Sequence, residues 1–215
     1  MSAPTPMKLW VFAEPPWYKN GYVITCPNTR QTVIIDPGDE VDTIVRVVRE
    51  KNLDVRAVYI THGHVDHICG VAALKRAWPE VPVYLHAADR FLYDAMVDQP
   101  RWLGLDLSYE APPPPDAYYE HGDTFTIGTL EVRIHHTPGH TPGSVCIQID
   151  RHLFTGDTLF AGSIGRTDLP GGSYATIIRS IVTRILPLGD DIVVHPGHGP
   201  ETTIARERLI NPFIP

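Results

Sequence analysis

Short β-branched runs that end on glycine, proline or a metal-binding side chain recur along this chain, alternating with stretches of helical period. Thr32-Val33-Ile34-Ile35 stops at Asp36-Pro37-Gly38, which predicts a strand running into a turn. Between Val41 and Lys51, Val41, Ile44, Val45, Val47 and Val48 recur at helical spacing with charges between them, so an amphipathic helix is predicted there. Further along, Val55 to Ile60 reads as a strand, Ile68 to Ala77 as a helix stopped by Trp78-Pro79, Val81 to Leu85 as a strand and Ala87 to Val97 as a helix. The stretch from Asp98 to Glu120 carries Pro100 and the run Pro112 to Pro115. Proline has a fixed φ and no N–H to donate, so a regular helix or central strand is excluded there. The stretch reads as an extended connection or as a loop over something, since loops of that length in compact domains tend to be functional or disordered.

After that connection the strand signals crowd together: Thr124 to Ile127, Leu130 to Ile134, Ser144 to Ile149 and Leu153 to Thr155. Glycine and proline punctuate them, as in a mostly antiparallel sheet. A helix from Tyr174 to Leu186, a strand at Ile192 to Val194 and a short helix from Glu201 to Leu209 complete the pattern. Each half holds several strands and helices, which predicts an α/β fold of two sheets packed face to face with helices outside. No linker divides the chain, so residues 1–215 are expected to form a single domain.

Composition narrows the class. With 43% hydrophobic residues in 215, the chain buries roughly 70% of its unfolded surface and needs no staple to fold, so any metal it binds serves function. Lysine and arginine total 18 against 25 acidic residues, a formal charge of −7, which argues against nucleic acid as a partner. No apolar run approaches the roughly 20 residues that cross a bilayer. Met1 to Met7 carries no basic cluster and Leu9 to Ala13 is too short for a leader core. Cys26, Cys69 and Cys146 form no CxxC or other disulfide framework, so a reducing, cytoplasmic setting is expected. Against this ordinary background, 11 histidines stand out.

Three of those histidines fall in Thr61-His62-Gly63-His64-Val65-Asp66-His67, at the end of one predicted strand and just before a helix. Three imidazoles and a carboxylate in six positions suit zinc, iron or manganese. In an extended turn His62 and His64 project the same way, while Asp66 and His67 turn towards a second centre, so the segment reads as parts of two metal sites. Later strands repeat the design: Leu130 to Ile134 leads to His140, Leu153 to Gly156 leads to Asp157, and Ile192 to Val194 leads to His195-Pro196-Gly197-His198. Five histidines and two aspartates at strand ends are enough for two metals with open positions.

The pattern His62-x-His64-x-Asp66-His67, His140, Asp157 and His198 resembles the metallo-β-lactamase superfamily, whose fold is a four-layer αβ/βα sandwich with the metals at its edge. Segment by segment it looks most like the short glyoxalase II-like hydrolases. The segments that carry this likeness are Thr137-Pro138-Gly139-His140-Thr141-Pro142-Gly143, Phe154-Thr155-Gly156-Asp157-Thr158, Gly165-Arg166-Thr167-Asp168, Pro196-Gly197-His198-Gly199-Pro200 and Asn211-Pro212-Phe213. The resemblance implies that His62, His64 and His140 bind one divalent metal and Asp66, His67 and His198 a second, with Asp157 and a hydroxide bridging them. Zinc is the expected metal, with iron and manganese as alternatives. It implies hydrolysis of a small-molecule thioester of the S-2-hydroxyacylglutathione type, such as S-lactoylglutathione, with Asp66 and Asp157 central to catalysis. A lactonase or weak β-lactamase activity lies within the same chemistry. Full-length glyoxalase II also has a separate C-terminal helical domain that supplies much of the glutathione grip; no such domain is expected here. The Gly165-Arg166-Thr167-Asp168 segment is also similar to iron-dependent persulfide dioxygenases, which sets a second reaction class beside the first.

The supporting roles have two readings each. Asp36 either accepts a hydrogen bond from a metal-bound imidazole or caps the Pro37-Gly38 turn. Arg166 either grips a substrate carboxylate or pairs with Asp168. His195, beside the His198 turn, is the expected support for a ligand. Trp10, Phe12, Trp17, Tyr18, Trp102 and Tyr109 either wall a substrate pocket or pack in the core.

Overall fold

The computed structural model describes residues 7–215; most of the Met1 to Met7 segment read for a leader, residues 1–6, lies outside them. The first sheet is built from β1 (Lys8–Phe12), β2 (Gly21–Thr25), β3 (Gln31–Ile35), β4 (Asp54–Tyr59), β5 (Val83–Leu85) and β6 (Ala117–Tyr118), in that spatial order. The first three strands are antiparallel neighbours, and β3 to β6 run parallel. The second sheet uses β7 (Thr124–Ile127), β8 (Leu130–His136), β9 (Val145–Ile149) and β10 (His152–Gly156) as an antiparallel meander. A small hairpin, β11 (Leu159–Phe160) with β12 (Ser163–Ile164), follows. Beyond it β13 (Val193–Pro196) joins β10 in parallel and β14 (Thr202–Thr203) closes the edge.

Strand alternation assigns the layers. Tyr22, Ile24, Val33, Ile35 and Tyr59 face inwards and meet Val132, Ile134, Val145, Ile147 and Phe154 of the second sheet in one buried cluster. The intervening Val23, Ile34 and Val58 face outwards, under α1 (Val41–Glu50), α2 (Val65–Ile68) and α3 (Val71–Ala77). On the other side Cys146, Leu153 and Val194 pack beneath α6 (Tyr174–Ser180) and α7 (Ile204–Ile210). This is the expected four-layer αβ/βα sandwich.

Several local expectations change. The helix predicted from Ile68 to Ala77 begins only at Val71, as α3, because the chain turns at Cys69-Gly70, where Gly70 packs against the Pro37 and Gly38 carbonyls, and Ile68 ends α2. The Ala87 to Val97 helix is broken into a 3₁₀ turn, α4 (Arg90–Asp94) and a second 3₁₀ turn. The proline-bearing connection holds a single helical turn, α5 (Gln99–Trp102), since Pro100 falls where a helix tolerates it, in the first turn. The second sheet is mostly antiparallel, as expected, with β13 alone pairing in parallel, on β10. Strands β1 and β2 were not predicted, and β2 is buried at every position, so it leaves no alternating signal. Among the described residues no helix is long and apolar enough to cross a membrane.

Candidate metal centre

Both sheets present their strand ends at one edge, and the expected residues meet there. His62, His64, Asp66 and His67 follow β4 of the first sheet, whereas His140, Asp157 and His198 follow β8, β10 and β13 of the second. Three groups of donor atoms result: His62, His64 and His140; His62, His67 and Asp157; and Asp66, His67 and His198, the atoms of each group lying within 4.8 Å of one another. The Asp157 carboxylate lies between them. Its Oδ1 is 3.4 Å from His67 Nε2, and its Oδ2 is 3.6 Å from His140 Nε2 and 3.8 Å from His198 Nε2. Close approach here depends on Gly197, where an added Cβ would fall 2.3 Å from Asp157 Oδ1 and 2.7 Å from His67 Cε1.

Hydrogen bonds set the role of the Nδ1 atom in three of the imidazoles. His140 Nδ1 donates to the Arg166 carbonyl at 2.7 Å, which leaves its Nε2 with a lone pair. Thr61 Oγ1 donates to Asp36 Oδ2 at 2.6 Å and so accepts from His62 Nδ1 at 3.1 Å, freeing His62 Nε2 as well. Those two lone pairs face each other across 3.2 Å, and His64 Nδ1 lies 2.8 Å from the same His140 Nε2. His67 Nδ1 donates to Asp36 Oδ2 at 2.8 Å, so its Nε2 points at the carboxylates of Asp66 and Asp157, each 3.4 Å away. Among the described residues, His67 Nε2 and Asp157 Oδ1 are the buried side-chain atoms with no hydrogen-bond partner. Converging lone pairs and buried polar atoms without partners are what a bound cation satisfies, so the donor set fits a metal centre.

Charge tunes the same atoms. Burial, reinforced by the neighbouring rings, lowers the pKa of His62, and it brings that of His64 down to about 3. Both rings therefore stay neutral and able to ligate. Burial opposes charge on His67 too, but Asp66, Asp157 and Asp36 overcome it and push its pKa up to about 10. Against its own burial, Asp66 is held at about 2 by His67 and His198, and His67 likewise lowers Asp157. The carboxylates thus stay ionised, and a positive charge in their midst is favoured.

The surroundings decide between the paired readings. Asp36 sits at φ 50°, in the left-handed region that disfavours side chains, and its carboxylate also accepts from Thr61 N at 2.7 Å. It supports both Thr61 and His67 rather than simply capping its turn. Arg166 forms a two-pronged pair with Asp168, at 2.8 and 2.7 Å, while its side chain lines the adjoining cavity. The expectation for His195 is corrected: strand alternation turns its ring away from the donor cluster, to bond His152 at 2.8 Å and stack on Phe154.

Three supports carry no motif and were not foreseen. Buried Asp89 accepts from Gly63 N, Thr141 Oγ1 and Gly143 N at 2.8, 2.7 and 2.6 Å, tying the His62–His64 turn to the His140 loop. Lys19, also buried, pairs with Glu40 at 2.7 Å and donates to the Asp36 carbonyl. Asn20 donates its backbone N–H to the Gly197 carbonyl at 2.7 Å and its side-chain amide to the Pro196 and Gly199 carbonyls, clasping the His198 turn to the first sheet.

With this geometry in place, the relatives are informative. A profile of the Metallo-beta-lactamase superfamily matches residues 15–198. The chain belongs to the metallo-β-lactamase superfamily. It is 37% identical to the hydroxyacylglutathione hydrolase GloC of Haemophilus influenzae over 187 residues, covering 86% of this chain and 88% of that protein. The crystal structure of BLEG-1 B3 metallo-beta-lactamase superposes with a TM-score of 0.88 at 36% identity, covering 96% of this chain and 99% of that one. The crystal structure of TTHA1623 in a di-iron-bound form superposes with a TM-score of 0.85, also at 36% identity, covering 95% and 100%. The chain is a metallo-hydrolase of this superfamily, and metal ions are expected at the cluster.

A cavity of about 330 Å³ opens directly on His64, Asp66 and His198, with Trp17, Leu92, Trp102 and Leu169 among its walls. Trp17 and Trp102 therefore line this cavity, while Trp10, Phe12 and Tyr109 pack against the outer face of the first sheet and Tyr18 is exposed.

Proposed function

We propose that the chain is a thioesterase of the glyoxalase II type, working with two divalent metal ions, zinc in the first instance. One ion is held by His62, His64 and His140 and the other by Asp66, His67 and His198, with Asp157 reaching both. The observation that carries this reading is the position of Asp157, whose two oxygens lie against imidazoles of both groups. A single-metal oxygenase site would not call for the second group of Asp66, His67 and His198. The bound pair supplies Lewis acidity towards a carbonyl and lowers the pKa of a water towards 7. The name of the H. influenzae relative supports S-2-hydroxyacylglutathione as the substrate type. The free cysteines Cys26, Cys69 and Cys146 suit a cytoplasmic setting.

In hydrolysis the acyl carbon exchanges its bond to sulfur for one to the oxygen of water, and the thiolate departs with a proton of that water. A thiol has a pKa near 8.5, so the leaving group needs no strong general acid. None is required of this site, whose carboxylates Asp66 and Asp157 are held ionised. The chain's own residues orient the donors: Asp36 and the Arg166 carbonyl hold the imidazole tautomers, and Asp89 holds the turns.

Metal quantitation and thiol release from S-lactoylglutathione, measured on one preparation and repeated on His64→Ala, test the proposal. Two equivalents of metal and activity lost in the variant are expected. No thiol release from any thioester would overturn it, as would one iron per chain with oxygen uptake on glutathione persulfide.

A further inference from the structure

The cavity beside the metal centre has a mostly apolar wall, and the polar groups set in it are turned to partners of their own. Gln99 uses its whole amide: Oε1 accepts from Val65 N at 2.9 Å, and Nε2 donates to the Gly63 and Leu92 carbonyls at 2.8 Å each. Trp17 turns its indole N–H away to Tyr109 Oη at 2.9 Å. Arg166, the cationic side chain other than histidine among the lining residues, is paired through Nε and Nη2 with Asp168 at the solvent-exposed side of the cavity. What remains towards the cavity is apolar: Trp17, Val65, Leu92, Trp102, Leu103 and Leu169. Trp102 and Leu103, at the end of α5, are 52% and 39% exposed, an apolar rim left open to solvent beside a catalytic centre.

We infer that this cavity takes the acyl half of the substrate, and that the preferred acyl group is bulky and apolar, aromatic or branched aliphatic, rather than a short hydroxyacyl. The inference deepens the thioesterase reading and rests on it. Glutathione carries two carboxylates and an ammonium group, and burying these against the apolar wall of Trp17, Val65, Leu92, Trp102, Leu103 and Leu169 would cost their hydration with little return. The acyl half carries no such charges. A cavity of about 330 Å³ holds on the order of ten waters at roughly 30 Å³ each, more room than a three-carbon hydroxyacyl group fills. A group that fills it displaces that water from apolar surface and gains affinity in proportion to the area covered.

The test keeps the thiol constant and varies the acyl group. On the metal-loaded protein, kcat/KM for S-phenylacetylglutathione is expected to exceed that for S-lactoylglutathione by roughly tenfold or more, the scale of filling an apolar pocket. Trp102→Ala, at an exposed position that the core does not depend on, is expected to lower kcat/KM for S-phenylacetylglutathione and so remove most of that preference. A preference for the lactoyl ester, or a phenylacetyl preference that survives both Trp102→Ala and Leu103→Ala, would overturn the inference. Should no thioester be hydrolysed, the thioesterase reading fails, and equilibrium binding of phenylacetate followed by tryptophan fluorescence decides for the cavity separately. Quenching that disappears in Trp102→Ala would uphold an apolar acyl site, and absence of quenching would refute it.

Discussion

Replacing Asp36 with asparagine separates the role of this carboxylate from mere packing, because the change is nearly isosteric. Aspartate accepts three hydrogen bonds, from Thr61 N to Oδ1 and from Thr61 Oγ1 and His67 Nδ1 to Oδ2. An asparagine has one acceptor oxygen and must present its NH₂ to one side. If the oxygen faces Thr61 N, the NH₂ meets the Nδ1–H of His67 and the hydroxyl of Thr61. To keep Nε2 for a metal, His67 must hold its proton on Nδ1, against that NH₂; moving the proton to Nε2 relieves the clash but removes the lone pair that would bind the metal. Thr61, now accepting, would donate instead to His62 Nδ1 and flip that ring too. In the opposite orientation the NH₂ clashes with Thr61 N–H, which cannot move its proton. Outer partners of this type are worth 10–100-fold in metal affinity, or about 1.4–2.8 kcal/mol. The assay is zinc competition against a chromophoric chelator, with metal-free thermal unfolding as control. A loss of about 1–3 kcal/mol in stability is expected from the buried mismatch. Zinc affinity unchanged at both sites would refute the tautomer argument.

Three other predictions address different parts of the assembly. In Gly197→Ala the new Cβ displaces the Asp157 carboxylate, and since the change is purely steric, bound metal by elemental analysis should fall below that of the wild type; full retention would show that the close approach is unnecessary. Lys19→Met and Glu40→Gln each strand a buried charge and are expected to cost about 3–5 kcal/mol, whereas the double variant should cost less than the sum by more than 1 kcal/mol in denaturant unfolding. Additivity would mean that the pair is not coupled. Burial, with His152 nearby, lowers His195 from 6.5 to about 4. A pKa lower in the folded state makes its contribution complete above pH 6.5 and lost as pH falls towards 4, by up to about 3 kcal/mol. His195→Phe should therefore show a flatter stability profile over that window, and equal slopes would contradict the assignment.

Residues close together in sequence made the donor cluster legible before any fold was known. His62, His64, Asp66 and His67 lie on one turn, and His140, Asp157 and His198 each follow a short apolar strand that runs out into glycine or proline. The layer order was legible for the same reason, since periods of 2 and 3.6 are written locally. Strand β2 escaped because both of its faces are buried and it has no period to read.

What the sequence by itself determined is the chemistry of the centre and the class of fold. The tertiary structure alone decided how that chemistry is held and what it is offered to. Asp89 reaches Thr141 across 52 positions, Lys19 meets Glu40 across 21, and Asn20 holds Pro196 across 176. Hydrogen bonds of this kind depend on where two sheets meet, and they leave no spacing or period in the chain. The same holds for the proton positions on His62, His67 and His140, and for the engagement of Gln99 and Arg166 that leaves the cavity wall apolar. Composition names which groups are present, but only packing settles which of them are already satisfied.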